Sequence, residues 1–186
     1  FVSKIIEKDS SSLIWEYVPG RKVHQYIRQL KKIKSNISVY IARKILEVLS
    51  SCEGMLHGGL RPTRIVVTPD KKVILTNFGV GHIEQRVLSK IVSENDKKVL
   101  EKFSGIFPYF PQEVLEDQVF DDPKSDIYSV GIILSEMITG KCLQRNKIIE
   151  ALNTEDVPAQ LTSTILKATS DFEERSRNSY YYLLNT

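Results

Sequence analysis

The sequence predicts a mainly α-helical domain of the α+β class, and three observations predict it. Apolar residues recur every three or four positions over residues 23–30 and again over 37–49, which indicates two amphipathic helices. Two runs of Val, Ile and Leu flank turn residues at 64–76, which indicates a small β-hairpin. Residues 125–140 are apolar on most faces and end at a glycine, as is typical of a buried central helix.

The first half of the chain supplies most of these elements. Residues 4–7 and 12–18 predict two short strands joined by a polar turn at 9–11, and Pro19-Gly20 closes the pair. The two amphipathic helices follow. The hairpin comes next, with its turn at Pro69 and Asp70.

The second half begins with residues 77–113, which show no clear period and contain the charged run SENDKK and a Pro/aromatic cluster. We therefore expect a long, irregular surface segment there. The buried helix follows. Further helices are expected from Asn146, after Pro158 and at the C-terminal YYYLL.

Composition and charge exclude several classes of protein. The 186 residues include 41% hydrophobic ones, enough for one core, and 26 basic against 23 acidic residues give a net charge of only +3. This balance argues against a nucleic-acid partner, and the absence of an apolar run of about 18 residues argues against membrane insertion. Cys52 and Cys142 form neither a metal-like cluster nor a disulfide framework, so we expect a cytoplasmic or other intracellular reducing compartment.

Six segments in one order resemble the C-terminal lobe of the protein kinase fold. IWEYVPG resembles the strand and hinge that join the two lobes, HGGLRPTRIVV the catalytic loop, and TNFG the metal-binding motif. GIFPYFPQEVL resembles the end of the activation segment, KSDIYSVGIILSEMITGK the central helix, and DFEERSRNSYYYLL the closing segment. The resemblance implies one domain over 1–186, in which 1–20 are the last N-lobe strands and the hinge, 21–186 form the helical lobe, and most of the N-lobe is absent from the chain.

The positions that carry chemistry in this fold are degenerate. An active loop has the pattern H-R-D-x-x-x-x-N, in which the Asp orients and deprotonates the substrate hydroxyl and the Asn holds a metal ion. Gly59 stands at the Asp position, Arg64 at the Asn position, and Asn77 at the acid of the metal-binding motif. An amide carries no charge and Arg64 adds a positive one, so the resemblance implies no catalytic residue and no metal site. No acid between Glu53 and Asp70 replaces the missing one.

Other matching positions imply architecture or ligand contacts. The resemblance implies that Asp126 accepts backbone hydrogen bonds from the loop, and that Glu113 and Arg175 form an ion pair. The positions expected to be structural are His57, Phe78, Gly79, Glu113, Asp126 and Arg175. The positions that would contact a nucleotide, if one binds, are Glu16, Val18, Arg61, Arg64, Val66 and Asn77.

The sequence therefore favours a pseudokinase that requires no cofactor and acts on another protein as a scaffold or allosteric regulator. One alternative is a module that binds ATP without Mg²⁺, and another is a weak or atypical Ser/Thr protein kinase. Arg64 either points to solvent or takes the place of the metal and binds phosphate. Because the scaffold role would not depend on catalysis, Gly59→Asp is expected to leave stability and partner binding nearly unchanged.

Overall fold

A computed structural model of the chain describes residues 2–8, 12–52 and 55–175. None of the helices in these ranges is long and apolar enough to cross a membrane. The strands are β1 Ile5–Lys8, β2 Leu13–Trp15, β3 Arg21–Lys22, β4 Ile65–Val67 and β5 Val73–Leu75. The helices are α1 Val23–Leu30, α2 Ser35–Ser51, α3 Gly81–Glu94, α4 Lys97–Phe103, α5 Gln112–Leu115, α6 Lys124–Thr139, α7 Ile148–Asn153 and α8 Ala159–Ala168.

The strands form two small antiparallel sheets. The predicted strand pair is present as β1 and β2, and its expected turn at 9–11 lies outside the described residues. The predicted hairpin is β4 with β5, and its turn closes where the Lys72 backbone N–H donates to the Thr68 hydroxyl at 3.0 Å. A third strand, β3, pairs with β4. It was not predicted, because two residues are too few to show a period.

The helix α6 lies at the centre of the structure, as the sequence predicts. Every residue from Ser125 to Thr139 is buried, and α2, α7 and α8 all pack against this helix. Gly140 ends it in the left-handed conformation, with φ of 72°. A Cβ at this position would come within 1.9 Å of the Lys31 carbonyl oxygen, so the predicted glycine cap also permits close contact with the segment after α1.

The expectation of an irregular segment over 77–113 was wrong, because α3, α4 and α5 lie within or at the end of it. The buried face of α3 has helical spacing, but it consists of Gly81, Gln85, Leu88 and Ser89. Only one of these four residues is large and apolar, although Ile83, Val87 and Ile91 recur every four positions, a spacing that is typical of a helix. Asn95 ends α3 in the left-handed conformation, and the Asp96 side chain caps α4.

The helices predicted near the C-terminus are present as far as the structure extends. A short 3₁₀ turn over Arg145–Lys147 leads into α7, and α8 begins directly after Pro158. The helix expected at YYYLL lies outside the described residues.

Candidate functional site

The loop that begins at His57 is anchored by hydrogen bonds to the central helix α6. The backbone N–H of His57 donates to Asp126 Oδ2 at 2.8 Å, and that of Gly58 donates to Oδ1 at 3.0 Å. Both carboxylate oxygens of Asp126 therefore accept from the loop, which is the contact that the resemblance implies. Burial raises the pKa of Asp126 to about 7, although the two backbone donors act in the opposite direction.

His57 is a packed residue of the core. Its side chain is fully buried, its ring meets the edge of Phe78 with centroids 5.3 Å apart, and Nε2 lies 3.1 Å from the Thr76 carbonyl oxygen. A carbonyl can only accept, so Nε2 carries the hydrogen. Burial, with a smaller contribution from Arg64, lowers the pKa of His57 to about 3, so the ring is neutral near pH 7.

The Asn-Phe-Gly segment lies beside this loop. Its Phe78 is buried, while Asn77 and Gly79 both adopt positive φ, at 62° and 85°. The residue before it, Thr76, donates its backbone N–H to the Arg64 carbonyl oxygen at 2.9 Å and its hydroxyl to the same oxygen at 3.1 Å. The two motifs of the degenerate site are thus joined by direct hydrogen bonds.

The main feature of the site is a carboxylate held between two arginines. Arg61 Nη1 donates to Glu84 Oε1 at 2.7 Å, and Arg64 Nη1 lies 2.8 Å from Glu84 Oε2. Arg64 Nη1 also donates to the Gly59 carbonyl oxygen at 3.0 Å. The three side chains are only 12–20% exposed, so the cluster is largely screened from water. We call Arg61, Arg64 and Glu84 the arginine clamp.

Glu84 occupies the space that the missing loop side chain leaves. A Cβ placed on Gly59 would lie 2.5 Å from Glu84 Oε2 and 2.4 Å from Arg64 Nη1. An aspartate at position 59 would therefore have to displace the side-chain ends of Glu84 and Arg64 and would compete with Glu84 for the arginines, and the near-neutral effect expected for Gly59→Asp stays a prediction. Of the two alternatives for Arg64, the structure contradicts the one in which its side chain points to solvent, because that side chain is only 12% exposed.

The sequence did not predict a role for Glu84, because residues 77–113 were expected to be irregular and no acid in them was placed beside the loop. The available signal was the spacing of Ile83, Val87 and Ile91, which predicts that Glu84 lies in a helix that begins soon after Asn77. A helix that starts at Gly81 places residue 84 in its first turn, on the side of the loop.

The helix α3 approaches the loop so closely that only glycine fits at the contact. A Cβ on Gly81 would lie 2.0 Å from the His57 carbonyl oxygen and 2.4 Å from the Gly58 carbonyl carbon. Gly58, at φ of 70°, would in turn bring a Cβ to 3.0 Å from the Gly81 carbonyl carbon. Gly59, which stands at the position of the catalytic acid, and its neighbour Gly58 thus also make room for α3 and its glutamate.

The remaining positions named as nucleotide contacts lie on other elements. Val66 is buried within β4, where it pairs with Ile74 of β5. Glu16 is exposed just after β2, where its backbone N–H donates to the Lys4 carbonyl oxygen at 2.8 Å, and Val18 is partly buried in the segment that follows. Of the six named residues, the structure joins Arg61 and Arg64 through a shared ion-pair partner.

The predicted ion pair between Glu113 and Arg175 is present in the structure. Arg175 Nη1 lies 2.5 Å from Glu113 Oε1, and the two side chains are only 1% and 8% exposed. Arg175 also donates to the Ser170 carbonyl oxygen from Nε and Nη2, and to the Lys124 carbonyl oxygen from Nη1. This arginine therefore ties α5 to the start of α6 and to the segment after α8.

Comparison with known proteins identifies the architecture in which this site lies. The protein kinase domain model matches residues 1–183, almost the whole chain. The chain belongs to the protein kinase family. Among solved structures, the kinase domain of Mycobacterium tuberculosis PknI, a double mutant, superposes with a TM-score of 0.66 over 93% of this chain and 64% of that one. At 17% identity, this likeness supports the fold alone.

Curated relatives include several mouse proteins. Sperm motility kinase 3A is 30% identical and sperm motility kinase 2B is 29% identical, each over 141 residues that make up 74% of this chain. A probable serine/threonine-protein kinase of Clostridium perfringens is 24% identical over 178 residues. The chain spans about a quarter of the length of these relatives, at 26%, 27% and 25%.

The residues at the site do not fit the magnesium ion that this family implies. Asn77 offers one uncharged amide oxygen, and Arg64 places a guanidinium at the other ligand position. Glu84 is the carboxylate in the arginine clamp, and each of its oxygens already faces a cation. Among the described residues, no group of three or more His, Cys, Asp or Glu side chains could hold a metal ion.

Proposed function

We propose that this protein kinase domain does not transfer phosphate and acts instead by binding another protein, as a scaffold or allosteric regulator. The observation that carries the proposal is the arginine clamp beside Gly59. The loop has no side chain at the position of the catalytic acid, and the nearest carboxylate is bound through both oxygens to cations.

The loss of a free general base and the loss of metal ligands would each suppress phosphate transfer. A general base must be within hydrogen-bond reach of the substrate hydroxyl and free to accept its proton, whereas Glu84 is engaged by Arg61 and Arg64. Metal ligation would be opposed by the charge of Arg64 and unsupported by Asn77. Base and metal effects are each typically worth about 10²-fold or more in rate, so their combined loss leaves little catalysis.

The outer face of α3 supports the binding part of the proposal. Ile83 and Val87 lie one turn apart on this helix and are 56% and 50% exposed, although both are large and apolar. We propose that the partner protein contacts α3 through this exposed apolar pair. A partner bound there would contact the same helix that carries Glu84 on its loop side.

A weak or atypical protein kinase is the second candidate, and the position of Glu84 is the observation that favours it. If the arginines released this carboxylate, it would lie near the place of the missing aspartate and could serve as the base. The names of the relatives, which describe them as kinases, are compatible with this alternative.

A phosphotransfer assay separates the two candidates. The protein is incubated with labelled ATP and Mg²⁺ or Mn²⁺, and we expect no label transfer above a heat-denatured control. Transfer that disappears in Glu84→Gln but persists in Glu94→Gln would overturn the proposal and identify Glu84 as a surrogate base. Glu94 is the matched control, because it lies on the same helix with its side chain 59% exposed.

A further inference from the structure

We infer that Arg61 and Arg64 form a phosphate-binding site that works without a metal ion, and that Glu84 is a built-in competitor for this site. The inference deepens the proposed function and rests on its loss of metal ligation. It assigns a ligand class to the degenerate loop and a regulatory role to α3.

The charges of the arginine clamp are not balanced. Two guanidinium groups face one carboxylate, and the neighbouring His57 is neutral near pH 7 because its pKa lies at about 3. The clamp thus keeps an excess of one positive charge in a largely screened environment. A phosphate group carries up to two negative charges and would match the two arginines better than Glu84 does.

The contact geometry also shows that Glu84 is an imperfect ligand. Its Oε1 accepts a hydrogen bond from Arg61 at 2.7 Å, while its Oε2 lies 2.8 Å from Arg64 Nη1, which also donates to the Gly59 carbonyl oxygen at 3.0 Å. Glu84 therefore shares the Arg64 guanidinium with the loop backbone. A tetrahedral phosphate presents three oxygens in different directions, so it could satisfy both guanidinium groups where a planar carboxylate satisfies one.

Space for such a group would come from Glu84 itself. The position beside Gly59 is now filled, because a Cβ there would lie 2.5 Å from Glu84 Oε2 and would also contact Arg64 Nη1. Displacing Glu84 would vacate the position next to Gly59 where its Oε2 now lies. The incoming phosphate would then take the place of a side chain of the protein itself.

Replacement of Glu84 by phosphate at the arginine clamp would affect the rest of α3. Glu84 is in the first turn of this helix, and Ile83 and Val87 are on the exposed surface of the same helix. Loss of the Glu84 contacts would loosen the attachment of α3 to the loop. Phosphate binding and partner binding would then be coupled, because both depend on where α3 lies.

The test measures phosphate binding in EDTA. Tripolyphosphate and ATP are titrated separately into the full protein, and binding is followed by calorimetry and by the rise in melting temperature. We expect weak binding to the parent protein, since a tethered carboxylate competes at an effective concentration on the order of millimolar. If the clamp is closed in about nine of ten molecules, Glu84→Gln should tighten binding about tenfold.

Matched variants make the result specific. Glu94→Gln removes the same charge from an exposed position of α3 and should bind like the parent protein. Arg64→Gln should lose phosphate binding. If the Arg64→Gln protein does not fold, Arg61→Gln is tested in its place. Glu84→Gln should also melt at a lower temperature without phosphate, because two like charges are left together, and should gain more from added phosphate than the parent protein does.

Several results would overturn the inference. They are a Glu84→Gln variant that binds no more tightly than the parent protein, an arginine variant that binds unchanged, or binding that requires Mg²⁺. Equal affinity for the two probes would identify the phosphate chain as the ligand, while tighter binding of ATP would identify a nucleotide, and both results support the site. Phosphotransfer activity would refute the proposed function without changing these binding measurements, so the two failures are distinguishable.

Discussion

Replacing Arg175 by alanine should destabilise the protein strongly. The substitution removes the buried ion pair with Glu113 and the hydrogen bonds to the Ser170 and Lys124 carbonyl oxygens. It also removes the guanidinium that lies 4.9 Å from the centre of the Tyr128 ring. The carboxylate of Glu113, only 8% exposed, would remain without its cation.

The expected cost follows from this burial. Breaking a buried pair by removing one partner costs about 3–5 kcal/mol, chiefly because an unpaired charge stays in the interior. For a domain of this size, each kcal/mol lowers the melting temperature by about 2–4 °C, so a decrease of about 6–20 °C is expected. Because Arg175 joins α5, α6 and the segment after α8, partner binding should weaken together with stability.

The assay is urea unfolding followed by circular dichroism, with a double-mutant cycle. Glu113→Ala should cost much less in the Arg175→Ala background than alone, since the pair is then already broken. Arg86→Ala is the exposed control, because its contact with Asp121 is more than half exposed on both sides and should be worth about 1 kcal/mol or less. If Arg175→Ala costs no more than this control, the stabilising role of the pair is refuted.

Two further substitutions test the loop and its contact with α3. Gly81→Ala should lower the free energy of unfolding by about 1–3 kcal/mol despite the better helix propensity of alanine, because its Cβ would meet the His57 carbonyl oxygen. Gly105→Ala is the control, since a Cβ there would meet nothing within 4 Å. Equal melting temperatures of the two variants would contradict the expectation. His57→Gln should change how stability depends on pH. The folded pKa of His57 is lowered to about 3, so its contribution is complete above about pH 6.5 and is lost as the pH falls towards 3, by about 2 kcal/mol at pH 5. The raised pKa of Asp126, about 7, stabilises the folded protein as the pH falls and offsets this loss in the parent. Urea unfolding must therefore show that from pH 7 to pH 5 the stability of His57→Gln increases by about 2 kcal/mol relative to the parent, and parallel profiles would rule the assignment out.

The sequence alone determined the elements whose apolar period is regular. The spacing of Ile41 and Ile45 predicts α2, and the apolar run that ends at Gly140 predicts α6. The order of the motifs also predicted two contacts across the chain, from Asp126 to the loop and from Arg175 to Glu113. These features were accessible because hydrophobic burial and motif spacing leave a local pattern in the sequence.

Only the tertiary structure decided what fills the space beside Gly59. The spacing of Ile83, Val87 and Ile91 indicates a helix, but it does not show that the opposite, polar face with Gly81 and Gln85 packs on the loop and brings Glu84 to it. A glycine at position 59 reads in the sequence as the loss of a side chain. In the folded chain, a carboxylate from 25 positions away occupies that space and meets two arginines. The physical reason is that ion pairing depends on distance in space, which packing of α3 on the loop sets and local sequence does not.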